Sequence, residues 1–348
     1  MFGRPPSQQR RSAPTLYRTQ DTHGYAVEFS PFRDGLLAVT SSQYFGIVGN
    51  GRQTILQIDP NTGVPQVVRV LETNDVLFDS SWSEMNEAQL VTCSGDGSIK
   101  LFDLNARDGF PIANWKEHGQ ETASVDWNLV SKSTFVSASW DKTCKLWDPV
   151  LGTRSVRTFA EHYGSVYNAQ WSPRNPSAFV SCSGDGSFKI WDVNSPRSSL
   201  TVQAHTGEVL AVDWSKYNEN IIVTGATDRT LRVWDLRKPY VAMHTLAGHE
   251  YAVRRLKCSP HNERQVLSCS YDMSVCLWDI FSDDSLLARC DHHTEFVLGI
   301  DWNLFRPNQV ATCSWDEFVC VFDIAQGPPP RIPSVKPPQQ RPPPLPLG

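Results

Sequence analysis

One eleven-residue pattern recurs along this chain at a near-constant interval and leaves little freedom for the fold. CSGDGSFKIWD (Cys182–Asp192) is one copy. Others read CSGDGSIKLFD ending at Asp103, ASWDKTCKLWD ending at Asp148 and GATDRTLRVWD ending at Asp235. Two more are CSYDMSVCLWD ending at Asp279 and CSWDEFVCVFD ending at Asp323. The aromatic before the final Asp is Phe102, Trp147, Trp191, Trp234, Trp278 or Phe322, at spacings of 45, 44, 43, 44 and 44. Ile58 before Asp59 adds a seventh, degenerate copy 44 residues ahead of Phe102. A period in this range with a Trp-Asp ending marks a four-stranded propeller blade. A prior of about 150 residues per domain suggests two domains, but the repeat overrides it. The expected organisation is a disordered segment 1–13, an all-β seven-bladed WD-repeat propeller 14–324, and a disordered Pro-rich tail 325–348.

Within each copy, apolar residues alternate in short runs bounded by Gly, Asp, Asn and Pro, which fits strands rather than helices. Leu16 to Thr19 read as a short strand that completes the last blade, whose own sequence stops after three strands. Such closure removes two exposed sheet edges. The nine cysteines include seven on expected strands (Cys93, Cys144, Cys182, Cys269, Cys276, Cys313, Cys320), where a thiol serves as a small apolar group. No CxxC pair suggests metal or redox chemistry, so a reducing, cytosolic setting and no metal or cofactor are expected. A net charge of −5 argues against a general nucleic-acid binder. No run of 18 apolar residues spans a membrane, and MFGRPPSQQRRSAP lacks the apolar core of a signal peptide.

A fixed frame runs through five copies. His118, His162, His205, His249 and His293 each precede a turn aspartate (Asp141, Asp185, Asp228, Asp272, Asp316) by 23 residues. A hydroxyl lies four residues before each aspartate: Ser137, Ser181, Thr224, Ser268 and Thr312. His, Ser and Asp together invite a catalytic-triad reading. A triad needs one copy, however, and this set recurs five times beside an aromatic at fixed offset. The expected role is structural: with Trp147, Trp191, Trp234 and Trp278 the groups form a hydrogen-bonded network pinning the turn to its neighbouring loop. With no Gly-rich phosphate loop and no unrepeated acid–base set, no enzyme is expected. The frame breaks down in the first two copies. Blade 2 reads Thr73, Thr92, Asp96 and Phe102; in blade 1 Gln20 stands at the His position, Ile58 at the Trp position, and SSQYFGIVGNGRQ replaces the tight Asp turn.

The frame also singles out top-face positions expected to point into solvent. Three residues past the frame His come His23, Val76, Glu121, Ser165, Glu208, Ala252 and Phe296. Five past it come Tyr25, Phe78, Ala123, Tyr167, Leu210, Arg254 and Leu298. Just before the turn aspartate come Gly95, Trp140, Gly184, Thr227, Tyr271 and Trp315. Polar residues are the default on a solvated face, so this aromatic set implies a covered surface. Asp75, Glu121 and Glu208 add carboxylates beside it. Aromatic anchors next to unpaired carboxylates suit an amphipathic helix carrying Arg or Lys, with the apolar stripe supplying affinity and charge fixing orientation. After Asp323 the chain becomes AQGPPPRIPSVKPPQQRPPPLPLG, expected as extended polyproline II. Pro343–Pro346 (PPLP) and the PxxP spacing of Pro330 and Pro333 offer a docking sequence for a proline-reading domain.

Several segments carry a resemblance. HGYAVEFSPF from His23, QYFGIVGNG from Gln43, NDVLFDSSWSE from Asn74, and the endings SVDWN, NAQWSP, AVDWS and GIDWN resemble the receptors for the type 2, N-terminal peroxisomal targeting signal, over roughly residues 15 to 324. That resemblance implies a cytosolic import receptor for short N-terminal helices with an Arg and spaced apolar residues on matrix enzymes. It implies a co-receptor (a long form of the type 1 signal receptor or its equivalent), peroxisomal docking proteins, and cycling between cytosol, organelle membrane and matrix. It also implies that Asp75 in NDVLFD and Glu121 in HGQETASVDW receive the cargo Arg. The Pro-rich tail departs from the family pattern and is more similar to the kinetoplastid, glycosomal versions. Two other functions fit a WD-repeat propeller: a substrate adaptor of a cullin ubiquitin ligase, suggested by WDLR (Trp234–Arg237), and a histone-binding chaperone, suggested by the WSP endings.

Overall fold

A computed structural model describes residues 13–282 and 284–333. They form seven four-stranded antiparallel sheets; in six of them the strands follow sequence order from the first, innermost strand to the last, outermost one. Blade 1 runs from His23 to Thr73, blade 2 from Leu77 to Lys116, blade 3 from Thr122 to Phe159 and blade 4 from Val166 to Gln203. Blade 5 spans Val209–Ala247 and blade 6 Val253–Cys290. Blade 7 takes Val297–Trp302, Gln309–Ser314 and Phe318–Asp323 and borrows Thr15–Arg18 as its outer strand. The chain is thus a seven-bladed WD-repeat propeller. Sequence copy and sheet are offset by one strand: Arg157–Phe159, which opens a copy, is the outer strand of the preceding sheet.

Closure is specific. Thr15 lies opposite Val321 and Arg18 opposite Phe318. Arg18 bonds the Glu317 carboxylate at 2.8 Å, and the Thr19 N–H donates to the Glu317 carbonyl at 2.8 Å. Apolar inner and middle strands pack blade against blade; Trp127, Trp147, Trp191 and Trp278 are among the largest fully buried side chains. Indoles at inner-strand ends then staple neighbours together. Trp82 Nε1 donates to the Glu28 carbonyl, Trp171 to Asp126, Trp214 to Gln170 and Trp302 to Lys257, at 3.1–3.3 Å. All nine cysteines are buried and unbridged.

The expected boundary at residue 324 falls short. Ile324–Gln326 form a short 3-10 turn, and Ile332 is buried in the blade 7 core. Its N–H donates to the His292 carbonyl at 2.8 Å. One apolar side chain amid the prolines is enough to seat this stretch on the propeller, because it finds an apolar cleft and a free carbonyl there. The PPLP sequence and segment 1–12 lie outside the described residues.

One irregularity is common to all seven blades and shapes the upper end of the channel. Near the start of every inner strand the pairing register slips by one residue. The residue skipped is Tyr25, Phe78, Ala123, Tyr167, Leu210, Arg254 or Leu298. A β-bulge re-aims its extra side chain. Here it turns seven side chains toward the ring axis at one end.

Candidate functional site

The seven bulge residues line a single open cavity of about 300 Å³ at the top of the central channel, together with Trp140, Tyr271, Trp315 and the Phe45–Ile47 loop. The expectation that these positions point into solvent needs correcting. Tyr25, Phe78, Ala123, Leu210 and Leu298 are all buried, because the bulge aims them at the axis, where they shelter one another. The residue before each turn aspartate is held at the same rim by a backbone bond. Trp140 N–H donates to the Glu121 carbonyl, Tyr271 to Ala252 and Trp315 to Phe296, at 3.0–3.2 Å.

Aromatic contacts run almost continuously around the mouth. Trp315 touches Tyr25 (5.9 Å between ring centroids), Tyr25 touches Phe78 (5.4 Å), and Phe78 touches Trp140 (5.7 Å). Trp140 meets Tyr167 at 6.4 Å. On the other side Trp315 meets Phe296 at 5.3 Å and Phe296 meets Tyr271 at 5.1 Å. Such edge and tilted pairs contribute roughly 0.5–1.5 kcal/mol each beyond area burial, so the mouth is a rigid apolar surface.

The blade 1 insertion forms the remaining wall, which the repeat frame did not assign to the site. Phe45 stacks on His23 at 3.8 Å and meets Trp315 at 5.2 Å. Tyr25 donates its hydroxyl hydrogen to the Phe45 carbonyl at 2.6 Å, and His23 Nδ1 lies 2.7 Å from the Trp315 carbonyl. Tyr44 and Phe45 adopt left-handed backbone angles, φ 46° and 56°, a conformation that L side chains rarely take and that the surrounding contacts must hold. Gly46, at φ 70°, presses so close to the Tyr25 ring that a Cβ would collide with its hydroxyl. The insertion's length and the resemblance carried by QYFGIVGNG were the sequence signals of this wall, since it matches no repeat position.

Carboxylates mark the rim. Glu208 is exposed and accepts from the Tyr167 hydroxyl at 3.1 Å; burial, then Glu208, pushes that phenol up to about 12. Asp75 is half-buried and accepts only from the N–H of Val76, at 2.8 Å; Lys100 is paired with Asp96 at 3.7 Å instead. Glu121 is half-buried with no side-chain partner among the described residues. Asp75 and Glu121 sit on adjacent blades 2 and 3, outside the cavity wall, as do Val76, His23, Phe296 and Glu208. Val76 is buried in the cluster with Tyr25, Phe78 and Leu298.

The His frame lies beneath this rim. In blade 3 His118 Nδ1 is 2.8 Å from Asp141 and Nε2 is 2.7 Å from Ser137 Oγ, which accepts from Trp147 Nε1 at 2.8 Å. The same chain links His162, Asp185, Ser181 and Trp191, and His205, Asp228, Thr224 and Trp234. It recurs for His249, Asp272, Ser268 and Trp278. In blade 7 His293 joins Asp316 and Thr312, with Phe322 in place of the indole and His292 adding a second contact to Thr312 at 3.2 Å. Burial would raise the turn carboxyls. For Asp185 the His162 imidazole and Ser187 hydroxyl outweigh it and hold the acid well below its usual range. Blade 2 has no such chain: Thr92 Oγ1 is buried without a partner, and Asp96 pairs with Lys100 and Lys116 instead.

Sequence comparisons bear on this geometry. The EIPR1 beta-propeller family model matches residues 150–278, and the WD domain, G-beta repeat model matches residues 109–148 and 284–323. The human peroxisomal targeting signal 2 receptor is 47% identical over 151 residues, covering 43% of this chain and 46% of the relative. That of Dictyostelium discoideum is 51% identical over 129 residues, 36% and 40% of the two chains. That of Saccharomyces cerevisiae is 45% identical over 134 residues, 38% and 35%. The chain spans less than half the length of these curated relatives in each match. The chain is a WD-repeat propeller related in sequence to the peroxisomal targeting signal 2 receptors.

Proposed function

We propose that the top mouth captures a short amphipathic helix bearing an Arg, and that the helix is the N-terminal type 2 targeting segment of a peroxisomal matrix protein. The observation that carries this reading is the bulge-built aromatic cavity with carboxylates from neighbouring blades beside it. The cavity is too small to swallow a helix but can take side chains from one lying across it. Burying apolar side chains at roughly 25 cal/mol per Å² supplies most of the affinity. An Arg meeting Asp75 and Glu121 adds under about 1 kcal/mol if the pair stays exposed and up to roughly 3 kcal/mol if partly desolvated. Apolar contact drives the binding and charge sets its polarity.

On this reading the protein is a non-enzymatic import receptor. It hands cargo to the peroxisome with a co-receptor and docking proteins and cycles between cytosol and organelle. The names of its relatives support the receptor assignment. The cullin-adaptor reading finds less support: Arg237 folds back onto the Asp235 carboxylate with contacts of 2.7–3.1 Å, a local use for that side chain. A histone chaperone would need a long acidic stripe, whereas this mouth is aromatic. The test is charge reversal. Asp75→Lys and Glu121→Lys are expected to abolish capture of an Arg-bearing targeting peptide in an anisotropy titration while the melting temperature holds. Capture that survives both changes removes this site from consideration.

A further inference from the structure

The inner strand of blade 6, Val253–Cys258, carries three cations toward the channel, and only two of them are neutralised. Arg255 donates to the Asp79 carboxylate across the channel at 2.8 Å, with both side chains buried. Lys257 lies among Asp301, Asp213, Glu28 and Asp126. Arg254 is the bulge residue between its neighbours' ladder positions, half-buried, on the wall of the top cavity. No carboxylate or hydrogen-bond acceptor among the described residues engages its guanidinium. Its near neighbours include the phenols of Tyr25 and Tyr167, whose hydrogens go elsewhere, to the Phe45 carbonyl and to Glu208.

Two more donors are stranded in the same wall. Trp140 Nε1 and Trp315 Nε1 are buried with no partner; Trp315 Nε1 approaches the Tyr25 hydroxyl without reaching hydrogen-bond geometry. Buried polar groups are ordinarily satisfied, and in the four complete frames of this molecule the Trp before the closing Asp finds its hydroxyl. A cavity with one free guanidinium and two orphaned indole N–H groups is short of acceptors. A neutral carbonyl could answer the indoles, but only an anion also answers the guanidinium, and a planar carboxylate matches its fork.

We propose that the floor of the top mouth is a carboxylate subsite, which receives an Asp or Glu side chain from the apolar face of the docked peptide. This rests on the peptide-receptor reading above, and that reading also selects the source. An N-terminal targeting segment continues into its folded protein, so its own chain end is not at hand. The peptide would then be read twice with opposite signs, cation at the rim and carboxylate on the floor.

The test has two arms on the full chain. First, 4-phenylbutyrate and the neutral 4-phenylbutyramide are titrated while the indole N–H resonances of Trp140 and Trp315 are followed by NMR. The acid is expected to shift both resonances at roughly a tenth or less of the concentration the amide needs, and Arg254→Met is expected to bring the two compounds level; equal response to both compounds in the parent overturns the proposal. Second, Arg-bearing amphipathic peptides carry Leu, Gln or Glu at each apolar-face position in turn. At one position Glu is expected to bind roughly tenfold or more tightly than Gln, as a charge-assisted bond implies. Arg254→Met should erase that preference and Arg254→Lys retain part of it. Phenylbutyrate binding with no Glu preference in any peptide overturns the assignment to the docked peptide. Because the rim carboxylates are untouched, loss of Arg dependence in the peptides signals failure of the receptor reading instead.

Discussion

The two ends of the central channel are built from the same seven strands, yet they solve opposite problems. Three residues beyond each bulge, the inner strands place Glu28, Ser81, Asp126, Gln170, Lys257 and Asp301 at the lower mouth, with Asp213 at the same register position but fully buried. Most of their polar atoms are answered internally, Glu28 Oε2 being the exception, buried without a partner. Asp126 accepts from the Trp171 N–H at 2.7 Å, Asp213 from the Cys258 N–H at 2.8 Å, and Asp301 from the Phe29 N–H at 2.8 Å. Each carboxylate thereby clamps the next blade, and Lys257 sits among them. No group of three or more His, Cys, Asp or Glu among the described residues is arranged to hold a metal ion. The upper mouth instead leaves a guanidinium and two indole N–H groups unanswered. Satisfied polar groups hold a ring together, whereas unsatisfied ones wait for a visitor.

The contrast breaks most sharply at Lys257. Lys257→Met strips the lower carboxylates of the more buried of their two cations, leaving Lys216, which pairs with Asp213 at 2.7 Å. Breaking such a buried set is expected to cost about 3–5 kcal/mol of stability. Chemical denaturation checks this, and an unchanged midpoint would show that the lower ring does not hold the blades. Trp140→Ala at the upper mouth should do the reverse. It is expected to lower peptide affinity by about 2 kcal/mol, or roughly 30-fold, with a smaller effect on unfolding; calorimetric titration beside a melting curve separates the two.

A smaller effect lies in the frame beneath the rim. Asp185→Asn weakens one His-linked turn and is expected to cost about 1–2 kcal/mol at neutral pH. The Asp185 carboxyl titrates below its unfolded value, so its contribution is present above about pH 4 and fades as the solution is acidified further. The variant should therefore approach the parent's stability in acid. The smallest effect has the opposite sign. Burial pushes the Asp126 carboxyl up to about 7, against the pull of Lys257 and the Trp171 N–H. The folded state thus holds a proton that the unfolded chain has released, and stability falls as pH rises from about 4 to about 7. Asp126→Asn keeps an acceptor for Trp171 and should flatten that slope, as melting temperatures at about pH 5 and about pH 7.5 would reveal.

Fold and site differ in how far they could be read from the residues. The repeat gave the sheets, their number and the borrowed strand, expected at Leu16 to Thr19 and found one residue earlier at Thr15–Arg18, because strand period and turn chemistry are local. The same frame pointed to Tyr25, Phe78, Trp140, Tyr167, Leu210, Tyr271 and Trp315 as members of one surface. What it missed was direction: a bulge changes where Leu210 and Tyr25 aim without altering any residue type, so axial side chains looked like solvent-facing ones. Phe45 and Ile47 escaped because an insertion has no repeat register to be compared with. Ile332 escaped because proline-rich composition masks a single apolar anchor. The orphaned N–H groups of Trp140 and Trp315 are visible only in three dimensions, since absence of a partner leaves no mark in the letters.

The strand Thr15–Arg18 has a consequence for how the molecule comes into being. It emerges early from the ribosome, but its partner Phe318–Asp323 emerges some three hundred residues later. Until then the sheets can only form an open arc, and an arc has no axis for seven inward-turned side chains to share. On the receptor reading the docking surface therefore arises in one step, when the latest-made blade meets the earliest-made strand, and a chain interrupted before that meeting would carry every aromatic but the last few and still hold nothing.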